Sequence, residues 1–346
     1  KAADPANGSI QKLYAEDTNL VIFQERKVSR ALIDKDAIYS AEGNSSVTSS
    51  SLTIGVIQPY KGKYGIGRNP ESFASYGYGK YFSDKNNNVM LRLSNNGITE
   101  ISEYGMRDFF RDEMEALDLN NTVKGKIVGG YDIEGGGYTL SLQPHSNGNY
   151  KTLSFSESTK GWVSFYSFKP TWMDSLRNVF ISTYESGIYY HYDQSVANNR
   201  GKFYTHDIAE SNITFLFNAS PSISKTFKTV SYEGSSGWQV SSIKSDFEGM
   251  NYFNSSFSEN QDVVNSVKSY LEGRYELNNP VNTGTSAVVH PFGQAGFDRK
   301  ENKYVANIVN NSVARPGEVI FGNQMSGIKG FFTETKFAVD NVTEPG

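Results

Sequence analysis

Val89-Met-Leu-Arg-Leu-Ser94, followed at once by Asn95-Asn-Gly97, carries the pattern that decides the fold class. Apolar side chains at alternate positions turn one face of an extended strand into a core. An Asn-Gly pair behind such a run marks a hairpin, because these residues tolerate left-handed backbone. Tyr138-Thr-Leu-Ser-Leu142 repeats the alternation after Gly135-Gly-Gly137. Val163-Ser-Phe-Tyr-Ser-Phe168 and Val179-Phe-Ile-Ser-Thr-Tyr184 read as two aromatic strands flanking a short helical or turn insert around Trp172-Met-Asp-Ser-Leu176. Phe215-Leu-Phe217 and Thr226-Phe-Lys-Thr-Val-Ser-Tyr232 continue the series.

Composition points the same way. Aromatic residues make up 14% of the 346 positions, with 22 Tyr and 22 Phe, and such rings suit pleated surfaces better than helices. Turn signatures open at Tyr39, Tyr81, Tyr131, Tyr189 and Tyr232, spaced 42, 50, 58 and 43 residues apart. A period of that size with several short strands per unit is the signature of a β-propeller-like array of antiparallel sheets. A β-sandwich and an irregular multi-sheet protein are the alternatives.

Two segments break the β pattern. From Tyr104 to Leu117, Met106, Phe109, Phe110 and Met114 fall at helical spacing, with Ser102 available as a cap. Asp262 to Leu271 repeats the spacing with Val263, Val264, Val267, Tyr270 and Leu271, and Gly273 offers a stop. Residues 1–240 are expected to form the propeller-like domain. Residues 241–346 are expected to form a peripheral polar segment, in which Asn251 to Ser258 is rich in turn formers and Asn278 to Arg299 reads as an extended loop. The start at Lys1 and the end at Glu344-Pro-Gly346 suggest a segment of a longer polypeptide.

A formal net charge of −4 gives no electrostatic footprint for binding phosphates, which needs clustered Lys and Arg, so dedicated nucleic-acid binding is not expected. If the chain lined a DNA conduit, a mildly acidic surface would repel the passing backbone and limit sticking, which would mean transient passage without specific binding. With no cysteine, neither a disulfide framework nor a thiolate site is available. No run approaches the roughly 18 apolar residues of a membrane span.

The chemical candidates all have a plainer explanation. Asp84, Asn86 and Asn88 alternate like the start of a calcium loop, yet the glycine and the bidentate acid that should follow are missing. Gly129-Gly-Tyr-Asp-Ile-Glu-Gly-Gly-Gly137 opens onto a strand rather than a helix and reads as a flexible turn, not a phosphate cradle. Asp108, Asp112, Glu113, Glu115 and Asp118 suit the solvated side of an amphipathic helix. His145, His191, His206 and His290 show no metal-ligand spacing. Trp162, Trp172 and Trp238 suit core packing better than sugar stacking. No catalytic residue, metal or cofactor is expected. The residues singled out for interaction are Trp172, Tyr189 and Tyr252.

Leu20-Val-Ile-Phe-Gln-Glu-Arg-Lys-Val28, Lys63-Tyr-Gly-Ile-Gly-Arg-Asn-Pro-Glu-Ser-Phe-Ala74, Ser102-Glu-Tyr-Gly-Met-Arg-Asp-Phe-Phe110, Lys160-Gly-Trp-Val-Ser-Phe-Tyr-Ser-Phe-Lys169 and Gly327-Ile-Lys-Gly-Phe-Phe332 together carry a family resemblance. The chain resembles the muzzle, or nozzle, structural proteins of crAss-like short-tailed bacteriophages. That resemblance implies a non-enzymatic virion protein, assembled in the host cytoplasm. It also implies a sixfold ring of identical subunits that contacts other tail proteins, closes the distal tail channel and gates genome delivery. A receptor- or glycan-binding tail-tip module and a tail-associated glycan depolymerase are the rival readings.

Overall fold

Short alternating runs closed by Gly and Asn turns give a mainly β molecule of many small antiparallel sheets, as expected. The computed structural model describes residues 2–16, 18–39, 45–117, 125–144, 149–193, 201–204, 206, 209–235, 237–246, 249–250, 267–268, 297–308 and 327–339. The chain divides into two units, Lys1–Ser195 and Val196–Gly346.

The first unit is a propeller-like series of four up-and-down sheets, each built from consecutive strands. Sheet I holds β1 (Ile10–Ala15), β2 (Asn19–Gln24), β3 (Val28–Tyr39) and β4 (Ser45–Pro59). Sheet II holds β5 (Ala74–Tyr76), β6 (Gly79–Asp84), β7 (Val89–Ser94) and β8 (Gly97–Glu100). Helix α1 (Arg107–Ala116) follows, then sheet III with β9 (Lys126–Asp132), β10 (Gly137–Gln143), β11 (Lys151–Ser156) and β12 (Gly161–Tyr166). Sheet IV holds β13 (Trp172–Leu176), β14 (Val179–Tyr184) and β15 (Gly187–Tyr190).

Period-two alternation lets each middle sheet bury both faces. On sheet II, Phe82, Leu91 and Leu93 join Val21, Phe23 and Val28 of sheet I in one cluster. Tyr81 and Met90, on the other face, pack with Phe110 and Met114 of α1 and with Tyr131, Tyr138, Leu140 and Phe155 of sheet III. Four tyrosine rings run through this second layer. Tyr76 stacks on Tyr131 at 4.3 Å, Tyr131 on Tyr81 at 5.7 Å, and Tyr81 on Tyr138 at 5.0 Å. Their polar ends are not wasted, because the Tyr81 hydroxyl donates to Glu157, which also pairs with Arg92, and the Tyr138 hydroxyl donates to the Ser72 carbonyl.

Three local expectations are corrected. Trp172–Leu176 is a strand, not a helical or turn insert, because every residue of it pairs with β14 and the period-two alternation sends Met173 into the interior. Ser102 does not cap α1; it is buried and its hydroxyl accepts from the Met90 amide, leaving Met106 at the cap position without a side-chain bond. Gly129 and Gly130 lie inside β9 rather than in a flexible turn. A β-carbon on Gly129 would stand 2.2 Å from the Ser72 carbonyl oxygen, and one on Gly130 would stand 2.5 Å from that of Met173. Only glycine lets neighbouring backbone come so close.

The second unit has non-consecutive pairing. β16 (Ser211–Phe217) pairs with β25 (Thr333–Val339), which pairs with β19 (Gln239–Ser245); β20 (Gly249–Met250) and β21 (Val267–Lys268) add to β19. β17 (Lys225–Phe227) pairs with β24 (Ile328–Gly330), and β18 (Thr229–Glu233) with β23 (Lys303–Asn307), which pairs with β22 (Asp298–Lys300). The boundary expected after residue 240 falls inside β19, and Val240 and Ile243 share a core with Phe297, Tyr304, Ile328 and Phe337. Within the helix expected at 262–271, the described pair Val267–Lys268 is β21; its other residues, Asn251 to Ser258, and 278–296 lie outside the described residues.

Candidate assembly surface

Sheet IV ends the series in the first unit, and its two faces differ sharply. Cross-strand register puts Trp172, Thr183 and Ile188 side by side, then Ile181 with Tyr190, then Leu176 with Val179. The alternate residues Met173, Phe180 and Ser182 are buried. Hydrogen bonds tie β13 and its lead-in to sheet III. The Ser175 hydroxyl donates to the Tyr131 carbonyl at 2.7 Å, Asp174 accepts from the Tyr131 amide at 3.3 Å, and Thr152 donates to the carbonyl of Phe168 in the β12–β13 connection at 2.6 Å. Burial pushes the Asp174 carboxyl upward, and the bonds from Ser175 and Tyr131 only partly offset that.

Apart from Asp174 and Thr183, which register places on the same side, the outward face is apolar and open. Trp172 is 46% exposed, Leu176 64%, Ile188 66% and Tyr190 69%. Single exposed apolar residues are ordinary, but a contiguous cross-strand set is a candidate interaction surface. Trp172 therefore stands on the open face. Tyr189 points to the opposite side of β15 and is half-buried, and Tyr252 lies outside the described residues. The sequence signal that was missed is the run Ile188-Tyr-Tyr190, whose outward members are Ile188 and Tyr190.

A second apolar surface belongs to the second unit. Among the described strands β16 is an edge, paired with β25 on one side, and its Ile213, Phe215, Leu216 and Phe217 are all exposed. Exposed apolar edge strands invite pairing unless something covers them.

Behind sheet IV lies a group that resembles a catalytic triad in composition only. His191 Nε2 and Ser182 Oγ are 2.7 Å apart, and Asp132 lies close enough to influence the imidazole. Ser182 is fully buried. Phe168 and Phe180 pack on the His191 ring at 5.1 and 4.8 Å. Burial holds the imidazole down to about 4, and the Asp132 charge opposes this only in part. Asp132 itself accepts from the Gly135 amide and from the Tyr192 hydroxyl, which locks the β9–β10 turn onto the end of sheet IV.

This burial gives a pH dependence of known sign. A histidine depressed in the folded state contributes stability that is complete above its ordinary value of about 6.5 and is lost as pH falls towards 4. The loss attributable to His191 should be on the order of 2 kcal/mol. Urea midpoints at pH 7.5 and 4.5 for the parent and His191→Gln chains isolate it from the carboxylates. A parent chain whose midpoint falls no further than that of the variant would show that His191 is not buried as described.

The remaining candidates are structural. Asp84 accepts from the Gly65, Asn86 and Asn87 amides and from Asn87 Nδ2, so it braces a hairpin rather than starting a calcium loop. Among the described residues, no group of three His, Asp or Glu side chains is arranged to hold a metal. Arg111 pairs with Asp108 and Asp112 on the solvated side of α1; Asp118, His145 and His290 lie outside the described residues. Trp162 packs between Phe110 and Phe155 and donates to the Ile101 carbonyl, and Trp238 packs on the core of the second unit. Among the described residues, no helix is long and apolar enough to cross a membrane.

Comparison with known proteins gives two matches. The family profile described as Crassvirus muzzle protein matches residues 3–186, and that of the Crassvirus muzzle protein C-terminal domain matches residues 198–311. The two profiles thus meet between the two units. No curated protein matches the chain.

Proposed function

Because the chain belongs to the crassvirus muzzle protein family, we propose that it forms and closes the distal channel of a phage tail as one subunit of a sixfold ring. Family membership makes it a structural component of the virion tail. The finer reading is mechanical: the ring continues the tail channel, lets DNA pass transiently, contacts other tail proteins and gates genome release. Assembly takes place in the host cytoplasm, and no residue is catalytic.

The observation that carries this reading is the open apolar face of sheet IV. A second, chemically different apolar surface on β16 supports it further. A contact between unlike surfaces on identical chains is heterologous, and it closes into a ring when its rotation divides a full turn. Trp172, Tyr189 and Tyr252 are the proposed contact residues. Trp172 lies on the face itself, and Tyr189 lies on the opposite side of β15.

Light scattering and negative-stain averaging of the purified chain test the reading. The expected result is a closed ring with six times the mass of one chain, found in intact virions at the far end of the tail. A monomer, or a trimer on peripheral fibres, would overturn it and make glycan binding through the exposed Trp172 and Tyr190 the better account.

A further inference from the structure

The net charge of −4 hides a local concentration of positive charge. Arg26 and Lys27 in the β2–β3 turn, Lys63 and Arg68 in the β4–β5 connection, Lys85 in the β6–β7 turn and Lys126 at the start of β9 line two adjoining clefts. Their volumes are about 390 and 490 Å³, and Arg26 and Asn86 belong to both.

Three acids also line these clefts, and two of them are already engaged. The Asp84 carboxylate is taken up by four N–H donors. Glu25 accepts from the Ser9 hydroxyl at 2.6 Å and pairs with Arg68 at 3.5 Å. Glu71 is exposed. By contrast, neither the Arg26 nor the Lys63 side chain has a hydrogen-bond or ion-pair partner among the described residues.

The loops that carry these charges are fixed to one another. Asn86 Nδ2 and the Gly67 amide both donate to the Glu25 carbonyl at 3.1 Å, the Ile66 amide donates to the Gln24 carbonyl, and Asn87 Nδ2 donates to the Lys63 carbonyl at 3.0 Å. A site held this way loses little entropy when an anion arrives.

The lining also restricts the ligand. Two joined clefts suit an extended polyanion better than a single ion. Among the described residues, no aromatic side chain lines either cleft, so they offer no platform for stacking a sugar ring or an unpaired base. What remains is recognition of a regular phosphate backbone by Arg, Lys and amide groups, which carries no sequence information. We propose that this double cleft binds the phosphodiester backbone of double-stranded DNA, independently of sequence. The cleft lies within one chain, so the proposal goes beyond the ring and does not need it.

The test is fluorescence anisotropy of a labelled duplex titrated with the purified chain. Six basic and three acidic side chains leave an excess of three positive charges. With about three phosphates neutralised, raising salt from about 50 to about 200 mM should weaken binding about forty-fold. Arg26→Ala/Lys63→Ala should weaken binding at the lower salt by about tenfold or more and flatten the salt dependence to about one contact. Arg107→Ala/Arg111→Ala removes the same charge from α1 and should leave binding unchanged. Absence of binding at low salt, an equal loss in the α1 variant, or displacement of the duplex by polyglutamate as readily as by unlabelled duplex would each overturn the proposal.

Discussion

Leu176→Asp/Ile188→Asp should abolish ring assembly while leaving the isolated chain folded. Both side chains point to solvent from sheet IV and contribute little to the interior of their own chain. In an assembled ring the same positions would be desolvated, and each carboxylate would sit in an apolar contact without a partner. Such a buried, unpaired charge is destabilising by several kcal/mol, so two of them should weaken association by at least about 4 kcal/mol, about a thousandfold. Asn95→Asp/Asn96→Asp adds the same charge at the exposed β7–β8 turn and serves as the control. Sedimentation at micromolar concentration reads the outcome, with circular dichroism to show that both variants fold. Assembly by the sheet IV variant at the parental concentration would remove that face from the interface. Loss of assembly in the control as well would point to net charge instead.

The largest effect on stability is expected at the two glycines of β9. Gly130→Ala would place a methyl group 2.5 Å from the Met173 carbonyl oxygen, and Gly129→Ala would place one 2.2 Å from that of Ser72 and 2.5 Å from the Tyr138 hydroxyl. These contacts are with backbone and with a hydrogen-bonded tyrosine, so neither neighbour yields by a simple rotamer change. Overpacking of this kind costs about 3 kcal/mol per site, at the upper end of the usual range. For a unit of this size that lowers Tm by about 6 to 12 °C. Gly161→Ala, in β12, meets nothing nearer than the Thr159 carbonyl oxygen at 3.9 Å and should be close to neutral. Calorimetry of the three variants decides the matter. A Gly130→Ala chain as stable as Gly161→Ala would mean that sheets III and IV do not approach as closely as described.

Much of the architecture was legible in runs rich in aliphatic and aromatic residues. Val89–Ser94 and Val179–Tyr184 coincide with the expected strands, and the expected helix, with its apolar residues at helical spacing, contains α1. Trp172–Leu176 misled for an equally physical reason. Its outward residues include Trp172 and Leu176 and its inward residues include Met173, so the polar/apolar alternation that announces a strand is erased by the same open face that suits an interface. The tyrosine signatures marked strands and turns but not the phase of the array. Tyr39 falls in the third strand of its sheet, Tyr81 in the second, Tyr131 in the first and Tyr189 in the third.

Other features have no local trace. Ser102 looks like a cap from its neighbours in sequence, yet it serves the Met90 amide, which only the folded sheet brings near. The glycines at 129 and 130 advertise a turn until the backbones of Ser72 and Met173 are in place beside them. The basic clefts escape a reading of net charge because their six cations, among the described residues, come from four separate segments interleaved with acids. Whole-chain charge bears on solubility and says little about local potential.

The placement of β9 also bears on cooperativity. In a strictly one-dimensional repeat array, a terminal sheet can melt without disturbing the rest, because each unit touches only its neighbours. Here β9 belongs to sheet III, lies against Ser72 and Tyr76 from sheet II and its lead-in, and is bonded to Asp174 and Ser175 of sheet IV. Pulling it away uncovers three sheets at once, so the first unit opens as a block rather than sheet by sheet, and partial opening is confined to edge strands such as β12 and β15. A subunit of this kind tolerates load up to a threshold and then gives way abruptly, a property that would suit the proposed closure of the channel.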